Sequence, residues 1–315
     1  MVLAAAGLAA ANAAATCVEG EAWGDGRLVL AFPGGPYLVD GLDARAAALV
    51  RDRYGPLCVA DGAAVGAQAA RIRLLRAEPD EVLPAPGPPS GVYELEVDHA
   101  PRMVRLAGRG WMGLIRTGAF VETGVFTAEA TPADFIAILE NTLRVMAAYR
   151  LFEGGGLLLH SAGVVSRGRA YLFVGRSGAG KTTFARRSLA EGREVLSDDL
   201  NAVVAERGEL RVRQVPFAGE LGMTLPDEPL GDYPLAGFFG LAHLAEADAP
   251  TVVSPLAGAE AFGLLLCAAS GVNGDPEHQE RLMDAIARLL AGVPRGRVSF
   301  SLRGPVWSVL EGSEP

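Results

Sequence analysis

A glycine-rich stretch with one lysine holds the residues best suited to chemistry. Residues 175–182 read Gly-Arg-Ser-Gly-Ala-Gly-Lys-Thr and match the phosphate-binding pattern G-x-x-x-x-G-K-[ST]. Glycines let successive backbone N–H groups point at phosphate oxygens, and a following helix adds its positive N-terminal end. Lys181 would supply a cation for the β- and γ-phosphates, and the Thr182 hydroxyl is placed for Mg²⁺. The predicted nucleotide-binding residues are Gly175, Arg176, Ser177, Gly178, Ala179, Gly180, Lys181, Thr182 and Thr183.

The lysine in this motif is stronger evidence for phosphate binding than the glycines are. The chain has 40 glycines, so glycine pairs at this spacing also arise by chance. Lys181, however, is the only lysine among the 28 Lys and Arg residues of the sequence. A planar guanidinium cannot replace a compact ammonium inside such a loop. The composition therefore favours a phosphate-binding role for this stretch.

Two adjacent aspartates follow the loop in the sequence. Asp198 and Asp199 stand 17 and 18 residues after Lys181, at the end of the next predicted strand. Because strand ends meet at one crevice of an open α/β sheet, both carboxylates can face the phosphates. One would hold Mg²⁺ while the other orients or deprotonates an acceptor hydroxyl. The alternative is a simple turn or helix cap, for which Ser-Asp-Asp is also typical.

A histidine-bearing hairpin, the loop and the aspartate pair together resemble a known family. With His160 inside Leu157–Val165, they are similar to the catalytic core of HPr kinase/phosphorylase and its relatives, which share a fold with phosphoenolpyruvate carboxykinase. The resemblance covers residues 157–220, about a fifth of the chain. It implies that Asp198 is the general base toward an acceptor hydroxyl, that Asp199 and Thr182 serve the metal, and that His160 lines the phosphate site. By itself, a histidine after three leucines is more typical of a sheet end or a core.

Glu220 falls where that family keeps a metal-binding glutamate. Here Leu221-Gly222 follows it, whereas the family has Arg-Gly at this point. By its position, the resemblance implies that Glu220 is a third metal ligand. The absence of Arg-Gly argues against recognition of a protein substrate and against reverse phosphorolysis.

Composition limits the class of protein. A chain of 315 residues that is 50% hydrophobic can bury a substantial core. Its net charge of −9 and the lack of a basic run exclude nucleic acid as an expected partner. The three cysteines are far apart and odd in number, which predicts buried free thiols in a reducing compartment. Residues 2–16 are alanine-rich but carry no positive charge, and later stretches lack a membrane span, so we expect a cytoplasmic protein.

The predicted fold class is α/β, with a phosphate-loop domain of the HPr kinase type over residues 126–315. For residues 1–125 the sequence predicts a smaller α+β module that is mostly β. This module would present or select the acceptor of the phosphoryl group. Thr131 and Pro132 predict the start of a helix that packs on the nucleotide-binding sheet. Residues 157–165 and 170–174 predict a hairpin that leads into the loop, and residues 306–310 predict an edge strand.

The leading hypothesis is an ATP- and Mg²⁺-dependent kinase that acts on a hydroxyl of a protein, a peptide or a small molecule. A small-metabolite kinase of the shikimate type and a non-catalytic nucleotide-binding regulator or NTPase switch stay open as alternatives. Carboxykinase chemistry would rest on kinship of fold alone. The resemblance also implies a homo-oligomer.

Overall fold

The protein folds as two compact units of mixed α/β structure. The computed structural model describes residues 20–59, 69–82, 95–118, 121–221, 230–244 and 246–312. The first unit ends at Arg150 and also includes Gly274–Glu277, whereas the second comprises the rest of the chain from Leu151. The sequence prediction placed the boundary after residue 125, whereas the first unit extends to Arg150. The alanine-rich residues 2–16 and the proline-rich residues 83–90 lie outside the described residues.

The described part of the first unit forms one mixed sheet of eight strands with helices beside it. The spatial order is β3-β1-β2-β4-β8-β7-β6-β5, in which β2, β4 and β8 run parallel and the other neighbours antiparallel. The elements are β1 (Gly26–Phe32), β2 (Gly35–Leu42), α1 (Ala44–Tyr54), β3 (Cys58–Val59), β4 (Ala70–Arg76), α2 (Pro79–Val82), β5 (Glu96–Ala100), β6 (Met103–Gly108), β7 (Trp111–Arg116), β8 (Glu122–Thr127) and α3 (Phe135–Glu153).

Asp43 caps α1 and at the same time binds the segment before α3. Its Oδ1 accepts a hydrogen bond from Ala46 N at 2.7 Å, and its Oδ2 accepts one from the Thr131 hydroxyl. Burial would raise the pKa of Asp43, but these hydrogen bonds hold it below the ordinary value. The prediction that Thr131 caps the following helix was wrong. α3 begins at Phe135, three residues later than a cap at Thr131 predicts, and the Thr131 hydroxyl donates to Asp43 instead.

The apolar face at the start of α3 packs within the first unit. Phe135, Ile138 and Leu139 line a small cavity together with Val39 and Ile72 of the sheet, and all five side chains are buried. The sequence predicted that this helix packs on the sheet that carries the glycine-rich loop. Its first turns instead belong to the core of the other sheet.

Nine strands build the sheet of the second unit within the described residues. The order is β12-β10-β11-β15-β14-β13-β9, and β17 pairs with β15 and β16. Strands β11, β15 and β17 are parallel to one another. The elements are β9 (Leu157–His160), β10 (Ala162–Ser166), β11 (Arg169–Val174), α4 (Lys181–Ala190), β12 (Glu194–Ser197), β13 (Leu200–Glu206), β14 (Glu209–Gln214), β15 (Asp232–His243), β16 (Val252–Ser254), α5 (Gly258–Ala268), α6 (Gln279–Gly292), β17 (Arg295–Phe300) and α7 (Trp307–Gly312).

The predicted hairpin exists, but its first strand is divided. β10 pairs with β11 around the Arg167-Gly168 turn, as the sequence indicated. β9 separates at Ser161 and pairs with β13 instead. The predicted edge strand at 306–310 was wrong, because Trp307–Gly312 is helical.

An aromatic cluster joins α4 to the sheet beneath the glycine-rich loop. The Phe173 and Phe184 rings lie 4.1 Å apart, and Phe184 meets Phe300 edge to face at 5.3 Å. Trp307 contacts Phe173, and its indole N–H donates to the Ser188 hydroxyl at 2.9 Å. Such large, fully buried rings fix the position of the helix relative to β11.

No helix in the described part of the chain is long and apolar enough to cross a membrane. Two of the three cysteines are described, and both are free thiols. Cys58 is half-buried, whereas Cys267 is exposed on α5. The expectation of buried thiols was therefore wrong for Cys267.

Replacing Asp43 with alanine should destabilise the protein by about 1 kcal/mol at pH 7, since an N-cap is lost. A lowered carboxyl pKa contributes stability that is complete above the unfolded-state pKa and disappears as pH falls through the folded-state pKa. Urea unfolding should therefore show a difference from the unsubstituted protein that shrinks at acidic pH. Asp52→Ala, which removes an exposed charge from the same helix, is the control. Equal effects of the two substitutions would contradict the capping role.

Candidate functional site

The glycine-rich loop connects the end of β11 to the start of α4. β11 ends at Val174 and α4 begins at Lys181. Gly178 and Gly180 have φ angles of 78° and 91°, a region in which residues with a Cβ are strained. Two of the three glycines in this stretch are thus required by the backbone path, and one of them, Gly180, is fixed by the motif. The pattern predicted both the loop and the helix that follows it.

Lys181 lies buried at the first position of α4, with 9% of its surface exposed. Its Nζ donates to the Gly175 carbonyl oxygen at 3.2 Å, so the side chain folds back over the loop. Burial lowers the pKa of Lys181, and the negative charges of Asp199, Asp198 and Glu220 partly oppose that shift. All three predicted carboxylates thus favour the charged form of the predicted lysine.

Asp198 is the most deeply buried of these carboxylates. It follows β12 directly and is 4% exposed. Its Oδ1 accepts a long hydrogen bond of 3.4 Å from Leu221 N, and its Oδ2 is buried without a hydrogen-bond partner among the described residues. A buried carboxylate oxygen with no partner is costly and indicates a missing ligand or a reactive role. This observation singles out Asp198 among the predicted residues.

The segment after β14 passes directly against this carboxylate. A Cβ added at Gly219 would overlap with Asp198 Oδ1 and lie 3.0 Å from Asp198 Cγ and from Asp199 Cβ. Glycine is therefore the residue that allows residues 217–221 to approach the aspartate pair. Glu220 is the next residue and is exposed.

Asp199 and His160 are neighbours at the adjoining strand ends. The imidazole Nδ1 of His160 lies 3.7 Å from Asp199 Oδ1, and the His160 side chain is about half exposed. The backbone fixes the pair, because Ser161 N donates to the Asp199 carbonyl oxygen at 2.9 Å. Asp199 N in turn donates to Ser197 Oγ at 3.1 Å. The structure thus places His160 beside Asp199, and its predicted role in lining the phosphate site stays a prediction.

Asn201 is a polar residue of this region that the sequence reasoning missed. Its side chain is fully buried and donates through Nδ2 to the Ser161 carbonyl oxygen at 2.8 Å and to Ser161 Oγ at 3.1 Å. These bonds fix the position of Ser161, which lies between β9 and β10 and next to His160. An asparagine within the apolar run 200–204 was the available signal.

The predicted metal ligands are hydroxyl and carboxylate oxygens, which suit Mg²⁺. The described residues contain no group of three or more His, Cys, Asp or Glu side chains arranged to hold a metal ion. A Mg²⁺ site of the nucleotide-binding type needs only one or two carboxylates, because phosphate oxygens and water complete the shell. Asp199 and Glu220 supply two carboxylates that both affect the charge of Lys181, and Asp198 Oδ2 has no hydrogen-bond partner among the described residues, so the predicted set meets that requirement in number and in chemistry.

No family model matches this sequence, and no curated protein matches it. The likeness to HPr kinases therefore stays a prediction that rests on the motif residues.

Gly219→Ala should destabilise the protein by about 1–3 kcal/mol, because the added methyl group forces the loop or Asp198 to move. Urea denaturation at pH 7 measures the change. Gly263→Ala is the matched control, since a Cβ there meets nothing within 4 Å and the helix interior favours alanine. If Gly219→Ala unfolds at the same urea concentration as the unsubstituted protein, residues 217–221 do not pack on Asp198 as described.

Proposed function

We propose that the protein is a kinase of the HPr kinase-like group, which transfers the γ-phosphoryl group of ATP to an acceptor hydroxyl with the help of Mg²⁺. One observation supports this above the others. The carboxylate of Asp198 is buried, and one of its oxygens is unpartnered among the described residues. Its negative charge favours the charged form of Lys181, which is buried in the glycine-rich loop. This observation supports a single site that contains a cation for the phosphates and a base for an acceptor.

The loop would bind the phosphates through its backbone. Positive φ angles at Gly178 and Gly180 curl the chain at the N-terminus of α4, which favours an anion. Lys181 would exchange its bond to the Gly175 carbonyl oxygen for phosphate oxygens. A bound phosphate chain would also compensate the buried ammonium more fully than the three carboxylates do.

Asp198 would act as the general base. Its unpartnered Oδ2 would accept the proton of the acceptor hydroxyl as the acceptor oxygen bonds to the γ-phosphorus. The bond from that phosphorus to the bridging oxygen breaks, and the charge of the departing ADP is stabilised by Lys181 and the loop N–H groups. Leu221 N on Oδ1 and the close approach of Gly219 would hold the carboxylate in place.

Thr182, Asp199 and Glu220 would hold Mg²⁺, and His160 would orient Asp199 from its position 3.7 Å away. When bound, Mg²⁺ supplies neutralisation of the phosphate charge and fixes the geometry of the phosphate oxygens. The free thiol of exposed Cys267 suits a reducing, cytoplasmic setting. The acceptor is a hydroxyl of a protein, a peptide or a metabolite, and the first unit would present it.

Two substitutions should separate binding from transfer. Lys181→Ala should abolish ATP binding, whereas Asp198→Asn should bind ATP normally and transfer phosphate about 10²- to 10⁴-fold more slowly. The assay follows γ-labelled ATP with Mg²⁺ in the presence and absence of extract from the host cell, and ATP binding is measured by calorimetry. Asp284→Asn removes an exposed charge on α6 and serves as the control.

Label on an acceptor that depends on Asp198 is the expected result. Transfer at the normal rate by Asp198→Asn would remove Asp198 from the role of base. Tight binding of ATP with no transfer to any component would instead favour a non-catalytic regulator or switch.

A further inference from the structure

The strands on the two sides of β11 provide different environments for a bound nucleotide. Asp198 and Asp199 follow β12, which lies beyond β10 on one side of β11, and His160 lies 3.7 Å from Asp199. On the other side, β15 continues past the end of β11. Val174 pairs with Gly240, and β15 runs three residues further to His243, paired with β17 as far as Phe300. These two strands form a wall beside the glycine-rich loop.

The end of this wall carries an exposed histidine that the proposed transfer does not use. The His243 ring packs edge to face on the buried Phe300 ring, with centroids 5.5 Å apart. A Cβ added at Gly180 would lie 2.9 Å from Phe300 Cζ and 3.9 Å from His243 Cδ2. The imidazole therefore sits next to the last glycine before Lys181. Among the described residues its nitrogens have no hydrogen-bond partner.

The direction of a bound nucleotide follows from the chemistry if the proposed function is correct. The γ-phosphate must face Asp198 for an acceptor to reach it, so the phosphate chain enters the loop from the opposite side. The α-phosphate and the nucleoside then lie over the wall formed by β15 and β17. An exposed ring held by Phe300 at that position offers a flat face to a base.

We propose that His243 forms the nucleoside subsite of the glycine-rich loop, where its ring stacks on the base of a nucleoside triphosphate. This inference rests on the proposed function, since it takes its orientation from the Asp198 side of the loop. The subsite distinguishes a nucleotide from a bare polyphosphate.

The test compares two ligands, MgATP and magnesium tripolyphosphate, by calorimetry on the full chain. His243→Ala should raise the Kd for MgATP about fivefold or more, as expected for the loss of a base–aromatic stack, and leave the Kd for tripolyphosphate unchanged. His243→Phe should keep MgATP binding close to that of the unsubstituted protein, because it retains an aromatic face. Met283→Ala, which trims an exposed side chain on α6, is the control.

Binding of the same two ligands by Lys181→Ala shows whether the subsite alone or the proposed function as a whole has failed. If Lys181→Ala weakens both ligands and His243→Ala weakens neither, the loop binds phosphate but the nucleoside subsite is wrong. An equal loss of both ligands in His243→Ala would also overturn the subsite, because the ring would then act on phosphate. If Lys181→Ala affects neither ligand, the proposed function itself fails.

Discussion

The buried charge of Lys181 is the constraint on which the second unit depends. Placing an ammonium out of water costs several kcal/mol unless other charges compensate it. The carboxylates of Asp199, Asp198 and Glu220 supply part of this compensation, and the Gly175 carbonyl oxygen supplies a hydrogen bond. Burial still lowers the pKa of the lysine, because these groups compensate its charge only in part. An anion in the loop would supply the missing compensation. The uncompensated charge of the unliganded protein therefore favours a phosphate ligand.

Rigid packing makes this arrangement possible. Phe173, Phe184 and Trp307 lock α4 on the sheet, so the start of the helix cannot move away from the buried charge. Asn201 ties the junction of β9 and β10, and thereby holds the backbone next to His160 and the aspartate pair. The two hydrogen bonds from Asn201 Nδ2 favour one geometry of this junction, because a shift would leave a buried donor unpaired.

Local patterns explain which parts of the site the sequence could predict. The loop was predictable because residues 175–182 contain the whole pattern, in which the glycines, lysine and threonine act through their own backbone and side chains. The turn at Arg167-Gly168, within the predicted hairpin, is local in the same sense. In each case the sequence contains the whole interaction.

Other features depend on contacts between distant segments. Ser161 divides the predicted strand because β9 finds its partner in β13, about forty residues later. Residues 307–312 are helical although their apolar pattern suited a strand, and Trp307 is bonded to Ser188 far away in the chain. Gly219 and His243 matter only through Asp198 and Phe300, which no local pattern connects to them.

The central claim is that Lys181 and Asp198 face the same terminal phosphate, and a crystal structure with Mg²⁺ and a non-hydrolysable ATP analogue tests it most directly. The account predicts the γ-phosphate within hydrogen-bond distance of Lys181 Nζ, with the open side of the phosphorus toward Asp198 Oδ2. A γ-phosphate on the far side of the loop, or an Asp198 carboxylate still covered by residues 217–221 with no room for an acceptor, would contradict it.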